Sequence, residues 1–171
     1  MEKRYRSQIE YGEYGGLICT PVCCLVTIAH VRDELCDDMI EQAMVEGHAM
    51  FKGRREPMMI QDLTSIFNVD GLNYSEAAGL THTGEREQIE SLLLCPLKIL
   101  LKELTIEKSG GLIVTCLGHT VCYLLTKGGG LYLFDPLLAK LKDVTLTWAE
   151  TLPSADVEYS AILLNSCGPA C

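Results

Sequence analysis

Late in the chain, short apolar runs alternate with glycine-rich turns, which is typical of a β-sheet. The segment Gly111–Leu138 (GLIVTCLGHTVCYLLTKGGGLYLFDPLL) is rich in β-branched and aromatic residues. Such runs, when turn residues bound them, predict paired strands. Pro136 ends the last run and cannot continue a central ladder. The predicted strands are Leu112–Cys116, Thr120–Leu125, Leu131–Phe134 and, after a crossover at Asp143–Pro153 with a short helix near Trp148, Val157–Leu164.

Earlier in the chain, apolar side chains recur three and four positions apart, as they do in amphipathic helices. Thr20 suits the N-cap and Pro21 the first position of a helix, which predicts a central buried helix over Val22–Glu34. Further helices are predicted at Met39–Met50, Met58–Phe67, Glu85–Leu94 and Leu97–Leu104, and a short strand and loop at Gly71–Leu80. Helices segregated from an antiparallel sheet predict an α+β fold, here as one domain over residues 1–171.

Composition and charge narrow the class of protein and of partner. The 171 residues are 48 % hydrophobic and 22 % charged, as in folded globular proteins. A formal net charge of −9 argues against nucleic acid or an anionic membrane as partner. No stretch is long and apolar enough to span a bilayer, and residues 1–16 lack the apolar region of a secretory signal. We therefore expect a cytoplasmic protein, or one in the host cytoplasm or nucleus if it is viral or an effector.

Most of the nine cysteines are expected to be reduced thiols. Their number is odd, and several lie in apolar runs, where a free cysteine behaves as a small hydrophobic residue. Cys19 and Cys23 lack a second Cys or His pair at zinc-finger spacing. We therefore expect neither a structural metal nor a cofactor.

Three residues have the chemistry of a nucleophile, a base and an orienting group. Cys19 lies just before the predicted helix start, where unpaired N–H groups and the helix dipole favour a thiolate. His119 opens one predicted strand and Asp135 ends the next, so an antiparallel hairpin makes them neighbours. An imidazole beside a carboxylate is half of a catalytic triad. The order Cys, His, Asp is that of papain-like enzymes.

Alternatives remain open for each of these residues. An oxyanion hole is expected from the Cys19 backbone N–H and from Gln8, if an extended arm folds back beside the helix start. Gln8 could equally be an exposed arm residue, and the other three could be structural. Cys23 and Cys24 are weaker candidates for the nucleophile, because they fall inside the predicted helix. His82 is a second choice of base, and His30 and His48 suit the ends of helices.

Three segments carry a family resemblance: GLICTPVC at Gly16–Cys23, VTCLGHT at Val114–Thr120 and LYLFDP at Leu131–Pro136. They resemble the N-terminal deubiquitinase domain of herpesvirus large tegument proteins. That family has a catalytic cysteine, an upstream glutamine and a strand that ends in Phe-Asp-Pro-His. The resemblance implies a papain-like fold with Cys19, Asp135 and Gln8 in the site.

One position departs from that family's pattern. The histidine after Asp-Pro is taken as catalytic in the family, and here that position is Leu137. The strict match therefore supplies no base, and His119 must fill the role. Josephin-type deubiquitinases and bacteriocin-processing peptidases place a His strand before an Asp or Asn strand, which supports His119. The missing histidine also leaves an inactive protein open.

These observations predict a cysteine protease with a Cys-His-Asp triad, a deubiquitinase or ubiquitin-like-protein protease whose partner is ubiquitin or a relative of it. The glycines at 110–111 or 128–130 form either the narrow channel that such a tail needs or ordinary hairpin turns. A protease that cuts its own polyprotein and a transglutaminase share the chemistry, although the single tryptophan, Trp148, does not follow Cys19. The alternative from another class is a catalytically inactive papain-like module that binds a protein.

Overall fold

Two helices pack on an antiparallel sheet in this computed structural model, which describes residues 2–11, 17–51, 54, 56, 58–59, 62–63, 72–80, 109–151 and 158–166. The helices are α1 (Cys19–Val31) and α2 (Asp37–Phe51). The strands are β1 (Glu2–Arg4), β2 (Leu72–Leu80), β3 (Gly110–Cys116), β4 (His119–Leu125), β5 (Leu131–Asp135), β6 (Lys140–Asp143) and β7 (Glu158–Ser166). Within the described ranges the sheet has seven strands in the order β1-β6-β5-β4-β3-β7-β2.

The core lies on both faces of the sheet, because successive strand residues point to opposite sides. On β4, Cys122 and Leu124 pack into the cluster that contains α1 and α2, whereas Tyr123 and Leu125 pack into a second cluster. Helix α1 is central to the first cluster, since ten of its 13 residues are buried. A helix that is apolar around most of its circumference is buried on most sides.

The hairpin geometry determines which strand ends meet at α1. Leu117 and Gly118 form the β3–β4 turn, so β4 begins at His119. Strands β4 and β5 are antiparallel, with Cys122 opposite Phe134. The start of β4 and the end of β5 therefore lie at the same end of the sheet. The first turn of α1 lies at this end of the sheet too, because the Thr20 and Thr120 hydroxyl oxygens are 2.8 Å apart.

The α+β prediction is confirmed, with one correction at the helix start. Helix α1 begins at Cys19 and ends at Val31, so both ends lie earlier in the chain than predicted, and Ile18 is at the cap position with no capping side chain. Thr20, expected as the cap, lies inside the first turn and its hydroxyl contacts Thr120 instead. Pro21 is tolerated there because the first-turn N–H groups have no intrahelical partner.

The predicted strands in the last third are confirmed to within two residues, as is the short helix at Trp148–Thr151. Strands β1 and β6 were not predicted, because Lys140–Asp143 (KLKD) has no apolar alternation and the N-terminal arm is polar. Leu72–Leu80 is one full strand, longer than expected. The helices predicted at 58–67, 85–94 and 97–104 lie largely or wholly outside the described residues. Neither α1 nor α2 has the length and apolar character needed to cross a membrane.

Candidate active site

Cys19 is the first residue of α1 and is buried, with 7 % of its surface exposed. The N–H groups of a first helical turn lack intrahelical partners, and no side chain caps those of α1. The positive end of the helix dipole therefore lies at the thiol. Across the helix–sheet interface, hydrogen bonding from His119 and Thr120 at the start of β4 lowers the pKa of this thiol.

His119 lies between Cys19 and Asp135. Its Nε2 donates a hydrogen bond to Asp135 Oδ1 over 2.8 Å. Hydrogen bonding to the Cys19 thiol also raises the pKa of the ring, and we assign this interaction to Nδ1, because Nε2 already faces the carboxylate. The structure thus brings together the three residues that the sequence predicts as nucleophile, base and orienting group.

Within this triad, the protonation equilibria are shifted toward an ion pair. Burial by itself raises the pKa of the Cys19 thiol, but hydrogen bonds from His119 and Thr120 outweigh it and lower that pKa below its ordinary value. The hydrogen bond to Asp135, followed by that to Cys19, raises the pKa of His119 to about 9. Both shifts favour a thiolate beside an imidazolium near neutral pH.

Asp135 is held by the backbone of the turn that follows it. The N–H groups of Leu137 and Leu138 donate to Asp135 Oδ1 over 2.9 and 3.3 Å, as in an Asx turn. Burial raises the pKa of the Asp135 carboxyl, but the hydrogen bond from His119 and those from the turn outweigh it, so that this pKa is lowered. The carboxylate therefore stays ionised where it orients the imidazole.

Position 137, where the herpesvirus pattern has a histidine, serves the site through its backbone. The Leu137 N–H binds Asp135, and the Leu137 carbonyl accepts the Ser7 hydroxyl over 2.7 Å. The Leu137 side chain is 41 % exposed. Since the imidazole beside Asp135 comes from β4, the absence of a histidine at 137 leaves the triad geometry complete.

Gln8 lies against the same turn. Its N–H donates to the Pro136 carbonyl over 3.0 Å, and the Tyr5 N–H donates to the Ala139 carbonyl over 2.7 Å. The N-terminal arm therefore folds back onto the end of the sheet where Asp135 lies. The Gln8 side chain is 1 % exposed, so its interpretation as an exposed arm residue is wrong.

The Gln8 side-chain amide has a hydrogen-bonding atom that the described residues leave unsatisfied. Its Oε1 is buried and has no hydrogen-bond partner among the described residues. Buried amide atoms without partners are rare in folded proteins. Rotation of the amide by half a turn would place its N–H donors at the same position. A role of Gln8 in an oxyanion hole stays a prediction.

The other candidate residues are less suited to the chemistry. Cys23 is fully buried and its S–H donates to the Thr120 carbonyl over 3.4 Å. Burial, followed by the hydrogen bond to Cys122, raises the pKa of Cys23 well above its ordinary value. Burial likewise raises the pKa of Cys24. His82 lies outside the described residues.

The glycine groups proposed as a substrate channel lie away from the triad. Gly128 and Gly129 adopt positive φ in the β4–β5 turn, and Gly110 pairs with Leu125. Both groups are at the end of β4 opposite His119, about 20 Å away at 3.3 Å per strand residue. The channel interpretation is therefore wrong, and residues 128–130 serve as an ordinary turn.

Sequence reasoning missed Thr120, which the structure places at the Cys19 sulfur. Hydrogen bonding from its backbone N–H and from its hydroxyl lowers the pKa of that thiol. The sequence feature that could have identified Thr120 is the alternation of side chains along the strand. Thr120 shares the helix-facing parity of Cys122 and Leu124, and a polar residue on an otherwise apolar buried face needs a partner.

Comparison with solved structures finds the same kind of architecture in one viral protease. A ubiquitin-specific protease encoded by murine cytomegalovirus tegument protein M48, crystallised in complex with a ubiquitin-based suicide substrate, superposes with a TM-score of 0.57. The identity is 15 %, over 99 % of this chain and 88 % of that one. No protein-family model and no curated protein matches the chain. At this identity the likeness shows the fold, and the chain has the α+β fold of its papain-like structural neighbour.

Proposed function

We propose that this chain is a cysteine hydrolase that cleaves at the C-terminal tail of ubiquitin or of a ubiquitin-like protein. The observation that carries the proposal is the hydrogen-bonded triad of Cys19, His119 and Asp135 at the start of a buried helix. The fold shared with a protease crystallised on a ubiquitin-based substrate supports the substrate class. The net charge of −9 is favourable for a basic tail.

In the first half of the proposed reaction, the Cys19 thiolate attacks the carbonyl carbon of the scissile bond. The Cys19 backbone N–H and the Gln8 amide stabilise the negative oxygen that forms. The His119 imidazolium gives its proton to the leaving amine as the carbon–nitrogen bond breaks. A thioester to Cys19 and a neutral imidazole remain.

In the second half, neutral His119 takes a proton from the water that attacks the thioester carbonyl. The carbon–sulfur bond breaks, the ubiquitin tail leaves as a free carboxyl product, and the thiolate and imidazolium are restored. Asp135 accepts the Nε2–H of His119 throughout. This bond keeps Nδ1 directed at the sulfur and stabilises the charged ring.

Hydrolysis of ubiquitin aminomethylcoumarin tests the proposal. We expect Cys19→Ala to lower kcat/KM by about 10³-fold or more, because the nucleophile is removed. Cys36→Ala is the matched control, since Cys36 is an exposed free cysteine outside the triad, and it should keep wild-type activity. Wild-type rates in Cys19→Ala would contradict the proposal.

The alternative, an inactive module that binds a protein, predicts a different result in the same experiment. The absence of a histidine at position 137 is the observation that favours it. A folded wild-type protein that binds ubiquitin in calorimetry, yet neither hydrolyses the substrate nor reacts at Cys19, would establish that alternative.

A further inference from the structure

Three threonine hydroxyls form a largely buried network next to Cys19, where α1 begins. Thr120 Oγ1 lies 2.8 Å from Thr20 Oγ1 and 2.8 Å from Thr115 Oγ1. Thr120 and Thr20 are buried, with 0 % and 3 % of their surfaces exposed. The network links the first turn of α1 to β3 and β4, and none of its members has a part in the reaction steps proposed above.

Thr120 is the member that reaches the sulfur. Alternation along β4 turns it toward α1, and hydrogen bonding from both its backbone N–H and its hydroxyl lowers the pKa of the Cys19 thiol. His119 immediately precedes it and contacts the same thiol. The start of one strand therefore brings three donor groups to the nucleophile.

The count of donors and acceptors sets the direction of these bonds when Cys19 is ionised. A hydroxyl has one proton to donate and two lone pairs that accept. A thiolate only accepts, so the Thr120 proton points at Cys19, and its two lone pairs take the protons of Thr20 and Thr115. Every position of the Thr120 hydroxyl is then used. Hydrogen bonds arranged in such a series strengthen one another.

Burial makes an additional donor necessary for a thiolate at this position. Cys19 is 7 % exposed, so water solvates the charge poorly. Among the described residues, the titratable groups around the sulfur are His119, Asp135 behind it and the Cys23 thiol one turn along α1. His119 is the cation of this set, and neutral donors must supply the remaining stabilisation.

We propose that the Thr120 hydroxyl, oriented by Thr20 and Thr115, donates to the Cys19 thiolate and keeps the nucleophile ionised between turnovers. This inference rests on the proposed role of Cys19. It adds to the triad a neutral residue that touches the reacting sulfur. A hydroxyl is required at position 120, and a side chain of equal size without one is insufficient.

The pH dependence of Cys19 alkylation by iodoacetamide tests this proposal, with the Cys19 peptide quantified by mass spectrometry. Iodoacetamide reacts with the thiolate, so the midpoint of the rate profile reports the thiolate population. Thr120→Val removes the hydroxyl at nearly constant size, and should raise the midpoint by about one pH unit, a roughly tenfold loss of thiolate below it. Thr120→Ser keeps the hydroxyl and should stay close to wild type.

Thr27→Val is the matched control for loss of a buried hydroxyl. Thr27 is fully buried in α1, and its hydroxyl donates to the Cys23 carbonyl over 2.7 Å. A midpoint raised in Thr120→Val and unchanged in Thr27→Val supports the proposal. A folded Thr120→Val protein with the wild-type midpoint overturns it.

If Thr120→Val fails to fold, Thr115→Val provides the test, because it removes one donor that orients Thr120 and leaves Thr120 in place. We expect a rise of about 0.3 pH unit, and an unchanged midpoint overturns the proposal. Alkylation requires no ubiquitin. A wild-type protein with the expected alkylation profile that cleaves no ubiquitin substrate would therefore overturn the proposed function and leave the role of Thr120 intact.

Discussion

The two ends of the contact between α1 and β4 carry a histidine each, in opposite chemical states. At the site end, where both elements begin, His119 donates to the Asp135 carboxylate over 2.8 Å. At the far end, where both elements end, His30 Nε2 donates to the Leu125 carbonyl over 2.6 Å. The hydrogen bond to Asp135 raises the pKa of His119 to about 9. Burial lowers the pKa of His30, although the Leu125 carbonyl and Asp33 oppose that shift.

The far end also contains an aspartate, but its carboxylate is used elsewhere. Asp33 forms an ion pair with Lys127 and accepts the Ser109 hydroxyl over 2.9 Å. His30 therefore meets a neutral carbonyl and stays a structural donor. Of these two half-buried histidines, only His119 has a carboxylate and a thiol beside it, which are the neighbours that the proposed base requires.

The largest difference in activity between the two ends is expected when each histidine is replaced in turn. His119→Ala should lower kcat/KM by about 10³-fold or more, because it removes both the proton carrier and a donor to the thiolate. His30→Gln keeps an N–H donor for Leu125, and should change kcat/KM less than about threefold while costing about 1 kcal/mol of unfolding free energy. Ubiquitin aminomethylcoumarin assays and urea denaturation provide the two measurements. Equal losses of activity in both variants would contradict the assignment.

Asp135→Asn should have a smaller effect than loss of the imidazole. Asparagine keeps an oxygen that accepts from His119 and from the turn N–H groups, but it lacks the charge that stabilises the imidazolium. We expect a loss of about 10- to 100-fold in kcat/KM, and an alkaline limb of the rate profile that moves down from about 9. Asp33→Asn is the far-end control, and its pH profile should match that of the wild type.

The pH dependence of stability should differ between the ends. His119 has a folded pKa of about 9, above its ordinary 6.5, so the stability it contributes is complete below 6.5 and is lost as pH rises toward 9. His30 has a lowered pKa, so its contribution is present above 6.5 and is lost as pH falls.

Urea denaturation between pH 5 and 10 checks these signs. A Cys19→Ala background removes the thiol titration, whose opposite sign would offset that of His119. In this background, adding His119→Ala should abolish the loss of stability above pH 6.5, whereas adding His30→Gln should preserve it. A loss of stability above pH 6.5 that His119→Ala leaves unchanged would contradict this assignment of the titration to His119.

The smallest effect is expected at the turn that precedes His119. Leu117 has φ 53° and is 74 % exposed, whereas the far-end turn places Gly128 and Gly129 at positive φ. A leucine in this conformation is strained, and Asn-Gly is the preferred pair for such a hairpin turn. Leu117→Asn should therefore raise the free energy of unfolding by about 0.5–1 kcal/mol, as measured by urea denaturation. Gly118→Ala, which strains the same turn, should lower it.

The site could be predicted from the sequence because its three residues lie next to clear structural signals. Cys19 precedes a proline near a helix start, and His119 and Asp135 occupy the ends of apolar strands bounded by turns. Local signals of this kind carry the hairpin geometry and hence the neighbourhood of the two side chains.

What could not be predicted depends on contacts between distant segments. β1 and β6 have polar sequences and exist as strands because they pair with each other and with β5. The start of α1 at Cys19, and the diversion of the Thr20 hydroxyl to Thr120, require the approach of β4 across 100 residues. Such tertiary partners override local capping preferences.

Labelling by a ubiquitin vinyl sulfone, mapped by peptide mass spectrometry, tests the central claim most directly. We expect a single ubiquitin adduct at Cys19 in the wild type, formed far more slowly in His119→Ala and at the wild-type rate in His30→Gln. A folded wild-type protein that forms no adduct, or one that is labelled at Cys36 and not at Cys19, would contradict it.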